Sequence, residues 1–508
     1  ARRFLQRKKT DKAIEILRLG QAANPESVTT HEWLGLAYQQ ASQPDEAIAA
    51  FGIALAKSNP TLISVRGLAK LHAAAKRFDD AFKVLDTALT KDKREPEFWL
   101  GIADLYRDTG IAARAKMDRI KAGIITSLDK ASALKPESPL ILHRLADYYK
   151  VWGESDKAIA LFIQLIELNP GLIGVREQLA DLYLRADMTQ DATRQLEAIL
   201  RERPTNERAL FVLGGIKRQL DKLEEAAAHF ETVLKINPKF ELAYYELAGV
   251  RLFQNRPTIT LATLKKAGEQ FKPRFITKFY AGLAHSALYQ YPKAIENLLD
   301  AEKLAQAGEQ NRLTHFFYFQ LGAAYERNRQ YETADKTFNK AIEMSPEYHN
   351  AMNYLGYMWA DINLNLDEAA KHITKANELS PDNASYVDSL GWLYFRQGKF
   401  TEALAELQRA AELIKDEPDS TIHEHIGDTH QQLGQADEAR AQWEKSLGLL
   451  RKQEAEMTSP DSYLLEQLGN VLNKLGQADK ANAAWQRSYD ITPNQPLHKK
   501  LHPAEKKE

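Results

Sequence analysis

The 508-residue chain contains no cysteine. Disulfides, thiolate metal centres and cysteine nucleophiles are thereby excluded, although the absence selects no compartment. Glycine and proline number only 25 and 19, too few for a collagenous or low-complexity chain. No apolar run approaches the roughly eighteen residues that a membrane-spanning helix needs. Neither sign of charge prevails: 68 Lys and Arg face 69 Asp and Glu, a net charge of −1. Whole-chain electrostatics therefore give no reason to expect nucleic acid or an anionic membrane as partner. At this length several domains or a repeat array are expected in place of one compact core.

What the chain does contain is a period. The segments EWLGLAY (from Glu32), HRLADYY (from His143), YYELAGV (from Tyr244), FQLGAAY (from Phe319) and DSLGWLY (from Asp388) each set Leu beside Gly or Ala. With that small residue numbered position 8, it recurs at Gly35, Ala69, Gly101, Ala146, Ala180, Gly214, Ala248, Gly282, Gly322, Gly356, Gly391, Gly427 and Gly469. About twelve residues on, at position 20, every one of these thirteen units but one has alanine, Thr260 being the exception. A large apolar residue follows four places later, as in Phe162, Leu196, Phe230 and Leu407, and a proline often closes the unit, as in Pro170, Pro204, Pro238, Pro346 and Pro493. Two helices that cross closely at positions 8 and 20 have no room there for a side chain larger than methyl.

This pattern resembles the tetratricopeptide repeat, W-x2-L-G-x2-Y, then A-x3-F, then P. The resemblance implies an all-α fold, a right-handed superhelical α-solenoid of helix–turn–helix units, each stacked on the next because one pair cannot bury both its faces. Residues 1–27 are expected to be a partial first repeat, 28–137 and 138–493 full repeats, and 494–508 a frayed C-terminal tail. The Gly101 unit carries about eleven extra residues, close to three helical turns, so its helix B is expected to lengthen over 117–131. Extra residues after Ala301 and Leu450 are expected to be longer loops. The register puts Ala1 at position 8 of a helix A, so the sequence is read as beginning inside a longer chain.

The segment HEHIGDTH (423–430) is the strongest candidate for a metal site. His423 and His430 nevertheless occupy positions 4 and 11, which the repeat usually fills with Trp and Tyr, and seven residues set them about 10 Å apart along a helix. Packing is the expectation, with no metal. Glycine-bearing segments such as GGIKRQLDK follow no strand and form no phosphate loop. Carboxylates such as Asp45 and Glu46 fall at the start of helix B, where the helix dipole favours them. No catalytic residue and no cofactor is expected, and the chain is read as not an enzyme.

Tetratricopeptide arrays hold protein or peptide partners in the concave face lined by helix A, which implies that positions 2, 5, 9 and 12 face a partner. In the first units these are polar or small, including Glu32, Arg66, Lys70, Asp147, Glu177 and Asp181. From the sixth to the eleventh unit they turn aromatic: Phe211, Tyr245, Phe279, Phe316, Phe319, Tyr357, Trp392 and Phe395, with Asn350 and Asn353 beside them. These rings and Asn353 are the expected partner-binding residues, and polar residues such as Glu424, Asp428, Glu466, Asn470 and Asn473 flank them. The family's grip on chaperone tails needs Lys at position 5 with Asn at position 9, a pair that no unit has.

The C-terminal stretch from ASYVDSLGWLY to QQLGQADEARAQWEKSL is similar to Gram-negative envelope repeat proteins, several of them lipoprotein adaptors. It implies a periplasmic or outer-membrane-associated scaffold, with the cytoplasm as alternative. A competing reading is the recognition arm of a larger enzyme, for example a glycosyltransferase, or of an export or assembly machine. RNA binding expects basic stripes, against which the acids at positions 5 and 9 argue.

Overall fold

The computed structural model describes residues 1–57, 59–93, 95–457 and 461–502. Among these, twenty-nine α-helices and one 3-10 turn (Gln310–Arg312) occur, and no strand. The chain divides into two compact units, residues 1–213 and 214–508, with the division falling inside the helix Glu207–Gln219.

Antiparallel helix pairs follow one another along each unit: helix A packs on its own helix B, and helix B generally on the helix A that follows. The small residue at position 8 is explained by what covers it. A Cβ on Gly35 would stand 2.5 Å from the ring of Phe51, sixteen residues on. Gly322 meets Phe338, Gly391 meets Leu407, Gly427 meets Trp443 and Gly469 meets Trp485 in the same way, at 2.4–2.7 Å. The position-20 alanines close the crossing from beside: the carbonyls of Ala294, Ala369 and Ala439 stand 3.1–3.3 Å from the same point on Gly282, Gly356 and Gly427.

Helix A generally ends five residues past the small residue, and seven past it the backbone turns left-handed to free the chain for helix B. Gly153, Gly398, Gly434 and Gly476 take that place without strain, whereas Ser42, Lys76, Asp187, Asp221, Asn255, Tyr289, Arg329 and Asn363 hold positive φ with a side chain attached. N-caps are added where the sequence supplies them: Ser27, Asn383, Asp419 and Asp461 each accept a backbone N–H of the first turn.

Of the three insertions, the first lengthens helix B as expected but also helix A, and the other two differ from expectation. In the Gly101 unit the extra residues are shared: helix A runs Pro96–Ala113 and helix B Met117–Ala133, with the turn at Arg114. Ala113, read as position 20, therefore lies on helix A, and Gly110 against Ile120 and Gly123 against Tyr106 make the close crossing. Of the expected buried stripe, Ile120, Ile124, Leu128 and Ala131 are buried, whereas Met117 at the helix start is exposed. The extra residues after Ala301 and Leu450 extend helix B, to Tyr291–Gly308 and Ala436–Glu456, where Ala305 and Leu450 are fully buried. Residues 495–501 form a short helix whose Leu497 is fully buried against the last hairpin, so this part of the expected tail is docked; 503–508 lie outside the described residues.

No helix among the described residues is long and apolar enough to cross a membrane.

Candidate partner-binding site

The expected row of aromatic rings is not uniformly open. Phe211 is half-buried and belongs to the first unit. In the second unit Tyr245 is buried and donates its hydroxyl to Glu241 Oε1 at 2.6 Å. Phe279 is buried, stacked on Phe275 with centroids 5.3 Å apart. Phe316 is the most open of the row, at 44% exposure. Phe319 is half-buried among Phe338, Tyr348 and Tyr354, at 5.0–6.0 Å. Asn353 is buried, and its Oδ1 accepts no hydrogen bond among the described residues. Asn350 accepts from the Tyr386 hydroxyl.

Tyr357, Trp392 and Phe395 converge, and the residue that joins them is His425. Trp392 is sandwiched between Phe395 (4.7 Å, 5°) and His425 (4.0 Å, 13°), with Tyr357 6.4 Å from the imidazole. His425 is buried and pairs through Nδ1 with Asp388 Oδ1 at 2.9 Å. Burial alone would lower its pKa, but the charge and hydrogen bond of Asp388 more than reverse that and hold the imidazole above its ordinary value. Of its neighbours, His423 pairs with Gln442 at 2.8 Å and His430 with Gln435 at 2.5 Å. The three histidines thus take three separate partners.

This stack forms one wall of a cavity of about 340 Å³, lined by helix A of the units from Gly322 to Gly469, by Arg329 and Tyr331 that follow the first of them, and by Lys500. Opposite ends of that run meet across it. Arg329 forms an ion pair with Glu466, 137 residues away, and the Arg327 guanidinium lies 4.4 Å over the ring of Tyr463. Glu466 also accepts from Lys500 at 2.9 Å, and Lys474 bridges Glu424 and Asp428, both at 2.7 Å. Burial raises the Glu326 carboxyl above its ordinary range; Arg327 opposes the rise and Asp361 adds to it. Burial likewise pushes the Tyr357 hydroxyl well up, with Tyr463 and Asp361 adding to it. The indoles of Trp443 and Trp485 donate to Asp428 and Asn470, at 3.0 and 3.1 Å, whereas Trp392 Nε1 has no partner among the described residues.

Most of this lining escaped the sequence reasoning. Arg327 and Arg329 sit at and just past the end of helix A, and Tyr354 and His425 at position 6, outside the positions read as inward, whereas Glu326 stands at position 12, an inward position whose acid was not singled out. The acids Asp388, Glu424 and Glu466, at position 5 of three successive units, were the available signal, because buried carboxylates in a row require counter-charges. In the first unit the corresponding acids serve their neighbours: Glu32 accepts from Thr61 N and Oγ1 (2.9 and 2.7 Å), and Glu177 from Asn206 (3.1 Å).

Tetratricopeptide repeat profiles match residues 34–96, 66–116, 140–172, 177–239, 317–348, 363–420 and 389–448, more than half of the chain. The chain belongs to the tetratricopeptide repeat family. A TPR repeat-containing protein of Pseudomonas aeruginosa is 33% identical over 103 residues, 20% of this chain and 17% of that protein. Anaphase-promoting complex subunit 3 of Schizosaccharomyces pombe is 30% identical over 98 residues, 19% of this chain and 15% of that protein. The chain thus spans less than a fifth of the length of these curated relatives. Among solved structures it is similar to Naa15/Naa10 bound to HypK-THB (16% identity, TM-score 0.42, 99% of this chain and 77% of that one). It is also similar to the hetero-tetramer Cut9-Hcn1 (13% identity, TM-score 0.39, 99% and 95%). Repeats of this family are in general non-catalytic interaction scaffolds, and no catalytic family is indicated.

Proposed function

We propose that the chain is a non-enzymatic adaptor that holds a partner protein on the helix-A face of its second unit, anchored at the cavity between the Gly322 and Gly469 units. One observation carries this reading: Trp392, 7% exposed and packed as core, lines a cavity while its buried indole N–H has no hydrogen-bond partner among the described residues. A buried donor left unsatisfied costs stability, so its retention favours a use outside the fold. The exposed Phe316 and the half-buried Phe319, Tyr357 and Phe395 extend the face beyond the cavity, because aromatic rings bury large area at small rotamer cost. We assign the adaptor to the Gram-negative envelope class on its C-terminal sequence, an assignment that fractionation of the source cell tests.

The docking face is tested by photo-crosslinking. Benzoylphenylalanine replaces Phe316 or Thr421 on the helix-A face, or Leu379 on an outer helix B, in the full chain mixed with extract of the source cell. The expected result is one protein adduct shared by Phe316 and Thr421 and absent at Leu379. Equal labelling at all three positions, or labelling at Leu379 alone, refutes the docking face.

A further inference from the structure

We infer that the cavity receives a basic side chain, lysine or arginine, from an extended segment of the partner; this rests on the scaffold reading and adds the chemistry of its anchor. Three observations converge on it.

The first is the set of polar atoms without partners. Trp392 Nε1 is a donor, whereas Glu326 Oε2 and Asn353 Oδ1 are acceptors, and all three are buried. Trp392 and Glu326 line the first cavity; Asn353 lines a second, of about 400 Å³, that shares Arg327, Tyr354, Tyr357, Thr421 and Tyr463 with it. A cationic side chain supplies several donors at once, and the main-chain carbonyl that accompanies it supplies an acceptor for the indole.

The second is charge. The walls of the two cavities carry the carboxylates Glu326, Asp361, Asp388, Glu417, Asp419, Glu424, Asp428 and Glu466 against Arg327, Arg329, Lys474, Lys500 and His425. The bases are already engaged: Arg329 and Lys500 on Glu466, Lys474 on Glu424 and Asp428, His425 on Asp388. Arg327 Nε lies 3.4 Å from Glu326 Oε2 without hydrogen-bond geometry, and the Asp361 carboxylate has no ion pair among the described residues. The surplus is negative, so an incoming carboxylate meets like charge and finds only Arg327 without a hydrogen-bonded acid, whereas a cation supplies the counter-charge that Asp361 lacks. No group of three or more His, Asp or Glu residues with metal-holding geometry exists among the described residues, which argues for an organic cation over a metal ion.

The third is the rings. Tyr354, Tyr357 and Tyr463 line the same space, and Arg327 over Tyr463 shows that this wall already accommodates a guanidinium. Cations are attracted to such faces, more strongly where water is excluded.

The test uses fluorescein-labelled decapeptides of glycine, serine and alanine with one central Arg, Lys, Gln or Glu, titrated with the full chain and read by anisotropy at low salt. Arg and Lys peptides are expected to bind at least tenfold more tightly than Gln, with Glu weakest. Asp361→Asn, at an exposed position, and Trp392→Phe, which keeps the ring stack, are expected to weaken the Arg peptide about five- to tenfold, whereas Leu379→Ser on the outer face leaves it unchanged. Equal affinity for Arg and Gln, preference for Glu, absence of binding, or indifference to both variants overturns the inference. If the Phe316 and Thr421 crosslinks persist in that case, only the anchor chemistry is wrong; if they vanish too, the scaffold reading fails with it.

Discussion

Replacing Trp392 in two ways separates its packing from its unpaired N–H. The side chain is 7% exposed, and a tryptophan buries about 150–250 Å², worth about 4–6 kcal/mol at 25 cal/mol per Å². Against this stands the indole N–H, which has no partner among the described residues and whose desolvation costs about 1–3 kcal/mol. Trp392→Ala is therefore expected to destabilise by about 3 kcal/mol, the low end for a large aromatic ring removed from a core. Trp392→Phe keeps a ring between Phe395 and His425, drops the N–H, and is expected to stay within about 1 kcal/mol of the parent. Repeat arrays unfold in segments rather than all at once, so whole-chain melting dilutes the effect. Hydrogen exchange of the helices Ala384–Arg396 and Ser420–Gln432 reads it locally. Unchanged protection in Trp392→Ala would place the ring outside the core, and a Phe variant as damaged as the Ala variant would show that the N–H has a partner after all.

Gly391→Leu is expected to cost about 1–3 kcal/mol by overpacking, because even a Cβ would stand 2.7 Å from Leu407 Cγ; an unaltered urea midpoint refutes the register. His425, held above 6.5 by Asp388, contributes stability that is fully present below pH 6.5 and lost as pH rises through its folded value. Protection of the Ser420–Gln432 helix should accordingly fall as pH is raised from 6 toward alkaline, with the trend flattened in Asp388→Asn; a flat parent profile defeats this. Glu466→Gln removes the charge and one of the two oxygens that Arg329 and Lys500 engage, so exchange in the helix Gln495–Leu501 should quicken, and equal rates in parent and variant would show the contacts to be idle.

The hairpins were legible because their cause is local. A small residue is needed wherever the side chain sixteen places on lies over it, so the pattern repeats with the contact, from Gly35 under Phe51 to Gly469 under Trp485. The same logic explains where the reading slipped. Counting twelve residues from Gly101 lands on Ala113, but the inserted residues had moved the turn to Arg114, and Gly110 with Gly123 took over the crossing. The extra residues after Ala301 lengthened helix B because they keep apolar residues at helical spacing, among them the buried Ala305, which the loop reading passed over; those after Leu450 lengthen it too, although none of 451–456 is buried.

The cavity was legible only in part, because its decisive contacts have no period. Arg329 meets Glu466 across four repeats, and nothing in either unit's own pattern marks the other as its partner. Arg329 occupies a left-handed turn position that glycine fills in three later units, so the backbone tolerates strain there to keep a long cation reaching across the second unit. The inward aromatic rings, legible from register alone, then divide by their neighbours: Tyr245 and Phe279 are covered within their own surroundings, whereas Trp392 is covered on both faces and its N–H has no partner among the described residues. A ring in that state is core by area and site by chemistry. Position in the repeat fixes the first property and the distant charges fix the second, which is why Phe→Ala scanning by register alone would mistake one for the other.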